Sequence, residues 1–293
     1  MGLSACMIVK NEEHFLPEAL TSLQGLADEL IIVDTGSTDT TKTIAKTFTP
    51  HVYDYPWKDD FSAARNYSLT KATHDWILVL DADKAIAHED HEAIRALTHH
   101  TDFVACSLVQ VNYTNDTTLL GYTPIKNRTT YTKNFTGSIT CNIIRLFQNH
   151  KNIRFAGAVH ESVDATATAQ GRILKTNIPL HHYQFLKGTT TQKQLKYLEI
   201  YERNITTYPN QARAHRDLGI LYYNYKHDYP KAATHFEQSL ALNPHNIKTY
   251  VGLTLCLLKL NRHEQAQHAL TQALHRFPQD ATLHHLLRQL THR

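Results

Sequence analysis

The first half of the chain alternates continuous apolar runs with segments of helical period. The runs are "LSACMIVK", "ELIIVD" and "WILVLD", and helix-period segments lie between them, from about residue 14 to 24, from 40 to 48 and over "SAARNYSLTKA". A strand covered on both faces needs apolar residues at successive positions rather than at alternate ones. The pattern therefore predicts β-α-β-α units that build a parallel sheet.

The regular alternation of apolar runs and helix-period segments ends at about residue 102. Before that point a short strand over "HVYDY" and a helix at residues 89–98 continue the alternation. Beyond it we predict longer strands separated by polar loops. The piece from Tyr113 to Ser138 is rich in Thr and Tyr and shows neither the helical nor the strand period, so it is predicted to be largely loop.

From Thr189 onward the sequence is helical and repetitive. Three positions recur 34 residues later: Ala232, Phe236 and Pro244 return as Ala266, Leu270 and Pro278. This period, with small residues where helices cross and a proline after the second helix, resembles the tetratricopeptide unit. Pro209 suggests a preceding half repeat, and we expect about five packed helices. A generic helical bundle stays an alternative. The predicted domains are residues 1–187 and 188–293.

Composition narrows the class of protein. With 42% hydrophobic and 19% charged residues, the chain is typical of a globular protein and not of a disordered one. Its net charge of +3 is too small and too dispersed to predict nucleic-acid binding. Four widely spaced cysteines without a CxxC pair predict reduced thiols. Neither a signal peptide nor a membrane span is evident, so we expect a cytoplasmic protein, with oligomerisation left open.

Two carboxylates end the apolar run "WILVLDADKAI" at residues 76–86. In a parallel sheet, ligands bind beyond the carboxyl ends of the strands, so Asp81 and Asp83 are placed at a cleft. Side chains two apart on an extended chain project to the same side. We therefore expect both carboxylates together, where a hard divalent cation would offset their repulsion and hold a diphosphate. A solvated strand end is the simpler alternative.

Three motifs in order resemble those of the inverting family-two nucleotide-sugar glycosyltransferases. They are "KNE" at 10–12, "VDTGSTDT" at 33–40 and "DAD" at 81–83. The resemblance covers residues 3 to about 187. It implies an α/β fold of the GT-A type, Rossmann-like in its sheet, followed by the all-α repeats. It also implies a nucleotide-sugar donor, UDP-linked, and a divalent cation, Mn²⁺ or Mg²⁺.

Two later motifs narrow the resemblance. "IRLFQNHKNIRFAGAVHE" at 144–161 and "IPLHHYQF" at 178–185 are similar to the branch in which a transferase domain precedes tetratricopeptide repeats. That branch includes the sublancin-type peptide S-glycosyltransferases. The Q-x-x-R-W motif of processive polysaccharide synthases is absent from the sequence. The comparison favours an enzyme that makes one or a few transfers.

The resemblance assigns donor-binding roles to Asp81 and Asp83, which are also candidates for the metal site, and to four further residues. Asp34 would hydrogen-bond the nucleotide base, with Asn11 and Glu12 lining the same pocket; Asp34 as a simple turn cap is the alternative. Arg65 in "AARN" would reach the nucleotide or diphosphate, because its guanidinium fork suits phosphate oxygens. A surface or sheet-bridging arginine is the competing interpretation.

A metal site is implied by the same resemblance. Asp83 would be a direct ligand, Asp81 would act through the ribose or a water, and His182 would complete the metal or pyrophosphate shell, with His181 less favoured. The sequence departs from the family at Lys84, where an acidic or small polar residue is common, and "YQF" replaces "YGY" after His182. A lysine there would supply part of the positive charge that a metal ion otherwise provides at the diphosphate.

The acceptor must lose a proton, and Glu161 in "GAVHE" is the candidate general base, with His160 orienting it. An ionic latch to a neighbouring loop is the structural alternative for Glu161.

Three functions remain open at this point. The first is glycosylation of a peptide or protein side chain, a Cys thiol or a Ser or Thr hydroxyl, with the repeats helping to hold the acceptor and a bacteriocin precursor as one substrate. The second is glycosylation of a saccharide or envelope precursor, and the third is a catalytically silent repeat scaffold.

Overall fold

The computed structural model describes residues 1–117, 122–158, 161–186, 191–207 and 209–291. The chain forms two compact units, Met1–Gly188 and Thr189–Arg293. Within the described ranges, no helix is long and apolar enough to cross a membrane.

A mixed β-sheet organises the first unit. Its strands, within the described residues, are β1 (Leu3–Val9), β2 (Glu29–Asp34), β3 (Val52–Asp54), β4 (Trp76–Val79), β5 (Lys84–Ala85), β6 (Ala105–Thr114), β7 (Thr123–Pro124), β8 (Gly137–Gln148) and β9 (Ile173–His182). They are ordered β3-β2-β1-β4-β8-β6-β9-β5, and β7 pairs with β8. Strands β3, β2, β1 and β4 are parallel, whereas β8 is antiparallel to β4 and β6. The predicted parallel start of the sheet is confirmed.

Helices cover both faces of this sheet. The α-helices of the unit are α1 (Leu16–Thr21), α2 (Thr41–Phe48), α3 (Phe61–Leu69), α4 (His91–Leu97) and α5 (Asp164–Gln170), and short 3-10 helices lie at His88–Asp90, Thr130–Thr132 and Gln184–Leu186. Successive strand residues enter two different cores: Met7 packs with α1 and α4, and Cys6 packs with α3 and α5. Two covered faces explain why β1, β2 and β4 are apolar at nearly every position.

Helix α1 is shorter than the predicted segment from 14 to 24. Pro17 lies in its first turn, where a missing N–H costs nothing. The Ser22 hydroxyl donates to the Ala19 carbonyl at 2.7 Å, and Gly25 adopts a left-handed φ of 78°. These features end the helix early, so the apolar period extends beyond it. Between Tyr113 and Ser138, the described residues are mainly loop, with β7 and one 3-10 helix.

The second unit consists of antiparallel helices. They are α6 (Thr191–Thr207), α7 (Ala212–Leu221) with a π-helical continuation at Tyr222–Lys226, α8 (Tyr229–Leu242), α9 (Ile247–Lys259), α10 (His263–Arg276) and α11 (Ala281–Thr291). The described part of this unit therefore has six α-helices, one more than predicted. The sixth, α11, begins at Ala281, shortly after Pro278.

Phe236 of α8 is the centre of the helix crossings in this unit. It is 1% exposed, and ideal Cβ atoms added at Gly219 of α7 and Gly252 of α9 would lie 2.8 Å and 2.6 Å from its ring. Separations under 3.0 Å essentially never occur for real Cβ atoms. A Cβ at either position would therefore press against this ring, which would have to shift to admit it.

We expect Gly252→Ala to destabilise the helical unit by about 1 kcal/mol. Alanine gains about 1 kcal/mol in helix propensity over glycine, but overpacking a buried ring costs about 1–3 kcal/mol. Far-UV circular dichroism during denaturant unfolding measures the net effect. In a Phe236→Leu background the clash is relieved, so the same substitution should become neutral or stabilising. Stabilisation by Gly252→Ala alone would contradict the close packing described here.

Candidate active site

Asp34 ends β2 beside the end of β1, where its Cα pairs with that of Val9. The side chain is 2% exposed. Its Oδ1 accepts hydrogen bonds from the backbone N–H groups of Gly36 and Ser37, both at 2.9 Å. Its Oδ2 is buried and has no hydrogen-bond partner among the described residues. The turn-cap role is therefore present, and one carboxylate oxygen is left for a ligand.

Asn11 joins the loop after β1 to the loop after β2. It adopts a left-handed φ of 53°, which asparagine tolerates better than most residues. Its Oδ1 accepts from the Thr38 backbone N–H at 2.8 Å, and its own N–H donates to the Ser37 hydroxyl at 3.0 Å. The backbone N–H of Glu12 donates to the Thr41 hydroxyl at 2.7 Å. These bonds fix the two loops around Asp34; whether Asn11 and Glu12 touch a nucleotide stays a prediction.

Asp81 and Asp83 do not lie on an extended chain, and that part of the prediction is wrong. Strand β4 ends at Val79, and residues 81–84 form a turn closed by the Lys84 N–H donating to the Asp81 carbonyl at 3.0 Å. The turn separates the two carboxylates: Asp81 contacts Arg65, Lys84 and Arg145, whereas Asp83 contacts His182.

A buried set of charges surrounds Asp81, and we call Arg65, Asp81, Lys84, Arg145 and Glu161 the charge cluster. Arg65 donates from Nη2 to Asp81 and from Nε to Glu161. Lys84 Nζ lies 2.7 Å from Asp81 Oδ2, and Arg145 Nη2 lies 3.7 Å from the same oxygen. Arg65 therefore bridges the two carboxylates instead of pointing freely at a phosphate site.

The charges in the cluster depend strongly on one another. Burial alone would raise the pKa of Asp81, but Arg65, Lys84 and Arg145 outweigh it and hold that pKa well below its usual range. Burial lowers the pKa of Lys84, and the attraction of Asp81 opposes the shift. The negative charge of Asp81 thus offsets the positive charges of Arg65, Lys84 and Arg145. Without it, these cations would be buried with too little opposite charge, which is costly.

Helix α3 positions the cluster. The side chain of Asn66, next to Arg65, donates to the Phe155 carbonyl at 2.9 Å and accepts from the Phe155 N–H at 2.8 Å. The guanidinium carbons of Arg65 and Arg145 then lie 5.4 Å and 5.7 Å from the centre of the Phe155 ring. Arg65 Nη1 and Arg145 Nε are buried and lack a hydrogen-bond partner among the described residues. Two donors thus remain for a ligand or a water.

Asp83 and His182 form the second half of the site. His182 Nε2 lies 3.5 Å from Asp83 Oδ2, and the Asp83 carbonyl accepts from the Tyr183 N–H at 2.9 Å. Burial lowers the pKa of His182, partly opposed by Asp83. A carboxylate oxygen and an imidazole nitrogen are suitable ligands for Mn²⁺. Asp81 suits direct ligation less well, because both of its oxygens already bond to cations.

The described residues hold no group of three or more His, Cys, Asp or Glu side chains arranged for a metal ion. The residues that are present therefore fit an ion only as a partial protein site, with Asp83 and His182 as ligands and other positions filled by the substrate or water. Mg²⁺ and Mn²⁺ in nucleotide sites are commonly held in this way. The predicted ligand set of Asp81, Asp83 and His182 stays a prediction.

His181 belongs to an aromatic cluster. Its Nδ1 lies 2.7 Å from the Tyr113 hydroxyl, and its ring stacks on Tyr131 at 4.3 Å between centroids. Burial lowers the pKa of His181 to about 4. These contacts describe a packed, neutral imidazole. His160, the predicted partner of Glu161, lies outside the described residues.

Three polar residues near the site were missed from the sequence. Arg145 interrupts the apolar run "IIRLF" of β8, and a lone charge in such a run is a signal of a buried ion pair. Asn112 and Gln110 alternate with apolar residues in β6, which places both on one face of the strand. The Asn112 side chain lies 2.7 Å from His182 Nδ1.

Comparison with known proteins identifies the first unit. Residues 4–160 match the family described as Glycosyl transferase family 2, more than half of the chain. The chain belongs to this family. Residues 224–290 match a tetratricopeptide repeat, which supports the predicted repeat architecture.

Several curated proteins are similar to part of this family-2 chain. A TPR repeat-containing protein of Synechococcus elongatus is 36% identical over 167 residues, which cover 57% of the chain and 36% of that protein. The prophage-derived glycosyltransferase SunS of Bacillus subtilis is 30% identical over 158 residues, 53% of the chain and 33% of SunS. An uncharacterized glycosyltransferase of Rickettsia felis is 27% identical over 206 residues, 68% of the chain and 67% of the relative. The chain thus matches about a third of the length of the first two.

Among solved structures, S. aureus TarS is similar at 19% sequence identity and a TM-score of 0.43, covering 95% of the chain and 81% of that structure. A second TarS structure, in complex with UDP, has 18% identity and the same TM-score and coverage.

Proposed function

We propose that this chain is an inverting, metal-assisted glycosyltransferase that moves a sugar from a UDP-sugar to a side chain of a peptide or protein. The observation that carries the proposal is the adjacency, after strand β4 of a family-2 domain, of the charge cluster and the Asp83–His182 pair. The same edge of the sheet carries Asp34 at the end of β2. Asp34 would recognise the nucleotide base, and Asp83 with the charge cluster would hold the diphosphate. Glu161, a carboxylate of the same cluster, would act on the acceptor.

The base-recognition group is Asp34. Its buried Oδ2 can only accept a hydrogen bond while the carboxyl is ionised. A base with a ring N–H, such as uracil, satisfies it, whereas the corresponding cytosine nitrogen is itself an acceptor. Leaving a buried acceptor unpaired costs about 1–3 kcal/mol. This complementarity favours a UDP-linked donor over a cytidine-linked one, and the choice of uracil among the bases with a ring N–H rests on the family resemblance.

The diphosphate would lie near Asp83 and the charge cluster. With Asp83 included, three cations (Arg65, Lys84 and Arg145) face three carboxylates (Asp81, Asp83 and Glu161), so the site is close to charge balance. A site of this kind favours uptake of a dianionic diphosphate together with a divalent cation over either one alone. When bound on Asp83 and His182, that cation would neutralise negative charge on the leaving diphosphate.

Glu161 is the proposed base. Its side chain is 8% exposed, and Arg65 Nε holds one of its oxygens. This pairing fixes the carboxylate and leaves its second oxygen for a proton. A base of this kind is essential for a hydroxyl acceptor and much less so for a thiol, which is partly ionised near neutral pH.

The acceptor assignment rests on the repeats and on the SunS likeness. Tetratricopeptide units present surfaces suited to chain binding, and the helical unit has a groove of about 420 Å³ whose lining includes Glu199, Glu202, Lys226 and Lys231. Tyr222 and Tyr250 of this unit are only 5% and 2% exposed, so both serve mainly in packing. A cytoplasmic location, where donor and reduced thiols coexist, belongs to the same proposal.

Two other functions are retained as competing outcomes. Transfer to a saccharide or envelope precursor uses the same donor site, with the repeats as a docking surface. A silent scaffold would use only the repeats, and the buried, unpartnered oxygen of Asp34 argues for a ligand-binding site instead.

The function is tested with nucleotide-sugar donors in the presence of Mn²⁺ or EDTA. We expect hydrolysis of UDP-sugars well above that of GDP- or CMP-sugars, and loss of that hydrolysis in EDTA. Peptides with a central Cys or Ser, and a simple saccharide, are then offered as acceptors, with products identified by mass spectrometry. No hydrolysis of any donor would support the scaffold, and transfer to the saccharide alone would exclude the peptide acceptor.

A further inference from the structure

His182 is backed by a polar side chain of the neighbouring strand. In the parallel pairing of β6 and β9, Asn112 lies opposite His182. Asn112 and His182 are 8% and 9% exposed, and Asn112 Oδ1 lies 2.7 Å from His182 Nδ1. The contact is on the far side of the imidazole from Asp83, which approaches Nε2.

The orientation of the Asn112 amide follows from a backbone group. Asn112 Nδ2 donates to the carbonyl of Ile139 at 2.9 Å, and a carbonyl can only accept. The opposite orientation would place two oxygens against each other. Asn112 Oδ1 must therefore be the atom beside His182, and Gln110 Nε2 donates to the same oxygen at 2.8 Å.

This orientation decides which nitrogen of His182 carries the proton. An amide oxygen has no hydrogen to donate, so His182 Nδ1 must be the donor in this contact. A neutral imidazole has one N–H, and its Nε2 then presents a lone pair. His182 Nε2 lies 3.5 Å from Asp83 Oδ2. In this neutral tautomer both atoms offer an electron pair to a cation, whereas a doubly protonated ring would instead donate a hydrogen bond to Asp83.

The adjacent His181 has no such constraint. Its Nδ1 lies 2.7 Å from the hydroxyl of Tyr113, and a hydroxyl either donates or accepts. The same contact distance therefore fixes the tautomer of His182 but not that of His181. This difference distinguishes two neighbouring histidines in "HHY" that the sequence alone could not separate.

We propose that Asn112 is a positioning residue that holds His182 in the Nδ1–H tautomer, with its Nε2 lone pair directed at a divalent cation shared with Asp83. The inference rests on the metal site of the proposed function. Hydrogen bonds to the remote nitrogen of a metal-binding histidine commonly change metal affinity by about 10–100-fold. Asn112 does not contact the ion or the donor; it acts through His182.

Mn²⁺ affinity of the full chain, measured by electron paramagnetic resonance without donor, tests the proposal. Asn112→Leu removes the accepting oxygen at similar volume and should weaken Mn²⁺ binding about 10–100-fold. Tyr113→Phe is the matched control, because it deletes a contact of equal length to the neighbouring His181. It should bind Mn²⁺ as the parent does. Thermal unfolding is measured first, and Asn112→Ser replaces the leucine variant if that one does not fold.

Imidazole ¹⁵N NMR of the metal-free parent at pH 8 gives a readout independent of any variant. We expect His182 to show a protonated Nδ1 and an unprotonated Nε2, and the Nε2–H form would overturn the proposal.

Mn²⁺ binding by Asp83→Ala distinguishes a failure of the metal site from a failure of the role given to Asn112. If this substitution leaves Mn²⁺ binding unchanged, the metal site fails and the role of Asn112 fails with it. If Asp83→Ala removes the ion while Asn112→Leu binds it like the parent, only the Asn112 assignment is wrong.

Discussion

Replacing Asp81 with asparagine is expected to lower the free energy of unfolding of the α/β unit by about 3 kcal/mol at pH 7. The substitution keeps the shape and removes the carboxylate that Arg65 and Lys84 share. Removing one partner of a buried ion pair costs about 3–5 kcal/mol, because the remaining charge is left uncompensated. Since the Asp81 side chain is 23% exposed, we expect the lower end of that range.

The α/β unit can be followed separately, because both tryptophans of the chain, Trp57 and Trp76, lie in it. Denaturant unfolding monitored by tryptophan fluorescence therefore reports on this unit. Asp54→Asn is the matched control: its carboxylate also lies 2.7 Å from a lysine, Lys42, but the pair is 37% and 71% exposed. Surface pairs contribute about 0–1 kcal/mol. Equal stability of the two variants would show that burial of the charge cluster does not matter.

The pH dependence of this effect has a definite sign. The folded-state pKa of Asp81 is held well below its usual range, so its contribution is fully present above the unfolded-state pKa of about 4. It is lost as the pH falls through the lower folded-state value. The difference in stability between parent and Asp81→Asn should therefore stay constant from pH 7 down to about pH 4 and shrink below it.

The sheet was predictable from the sequence because burial on both faces leaves a direct trace. Runs such as "ELIIVD" are apolar at every position, and the structure places alternate residues of β2 in two different cores. The positions of "KNE" and "GSTD" after β1 and β2 followed from the same pattern. The length of α1 did not, since its end depends on one hydroxyl bond and one left-handed glycine.

The site was only partly predictable, because its geometry depends on pairing between distant strands. The sequence identified Arg65, Asp81 and Glu161 but assigned them separate tasks, whereas the structure joins them in one cluster with Arg145. Residues 65 and 161 are 96 positions apart, and no local pattern reports such a contact. Asp81 and Asp83 were expected to project to the same side of an extended chain. The chain instead turns at residues 81–84, directly after the strand, and the two carboxylates have different partners.

In the helical unit, the 34-residue spacing had a physical cause that the structure makes visible. Ala232, Phe236, Ala266 and Leu270 are all at most 1% exposed, so the recurring positions are those buried between helices. The segments "DLGILYY" and "YVGLTLCLL" are also weakly similar and align Gly219 with Gly252, and a Cβ added at either glycine would meet the Phe236 ring. The function of this unit cannot be read from its sequence in the same way, because surface residues that contact a partner need not recur at a regular spacing.

We expect Glu161→Gln to lower transfer to a serine acceptor by about 10²-fold or more, and transfer to a cysteine acceptor of otherwise identical sequence only a few-fold. General-base catalysis contributes about 10²–10⁴-fold to a rate. A serine hydroxyl is un-ionised at neutral pH and needs the base, whereas a thiol with a pKa of ~8.5 is already partly thiolate. Glutamine still accepts a hydrogen bond from Arg65 Nε, so the variant removes charge and basicity while it preserves the contact.

The comparison between acceptors separates catalysis from structure, because both reactions use the same folded protein and the same donor. If Glu161 were only an ionic latch for Arg65, its loss would disturb the cluster equally in both reactions, and equal losses would exclude the role of base. Asp164→Asn removes an exposed carboxylate three residues away and should leave both rates at the parent level. Initial rates at saturating donor give the comparison. Unfolding of Glu161→Gln is measured beforehand, since Arg65 loses one of its two carboxylates in this variant.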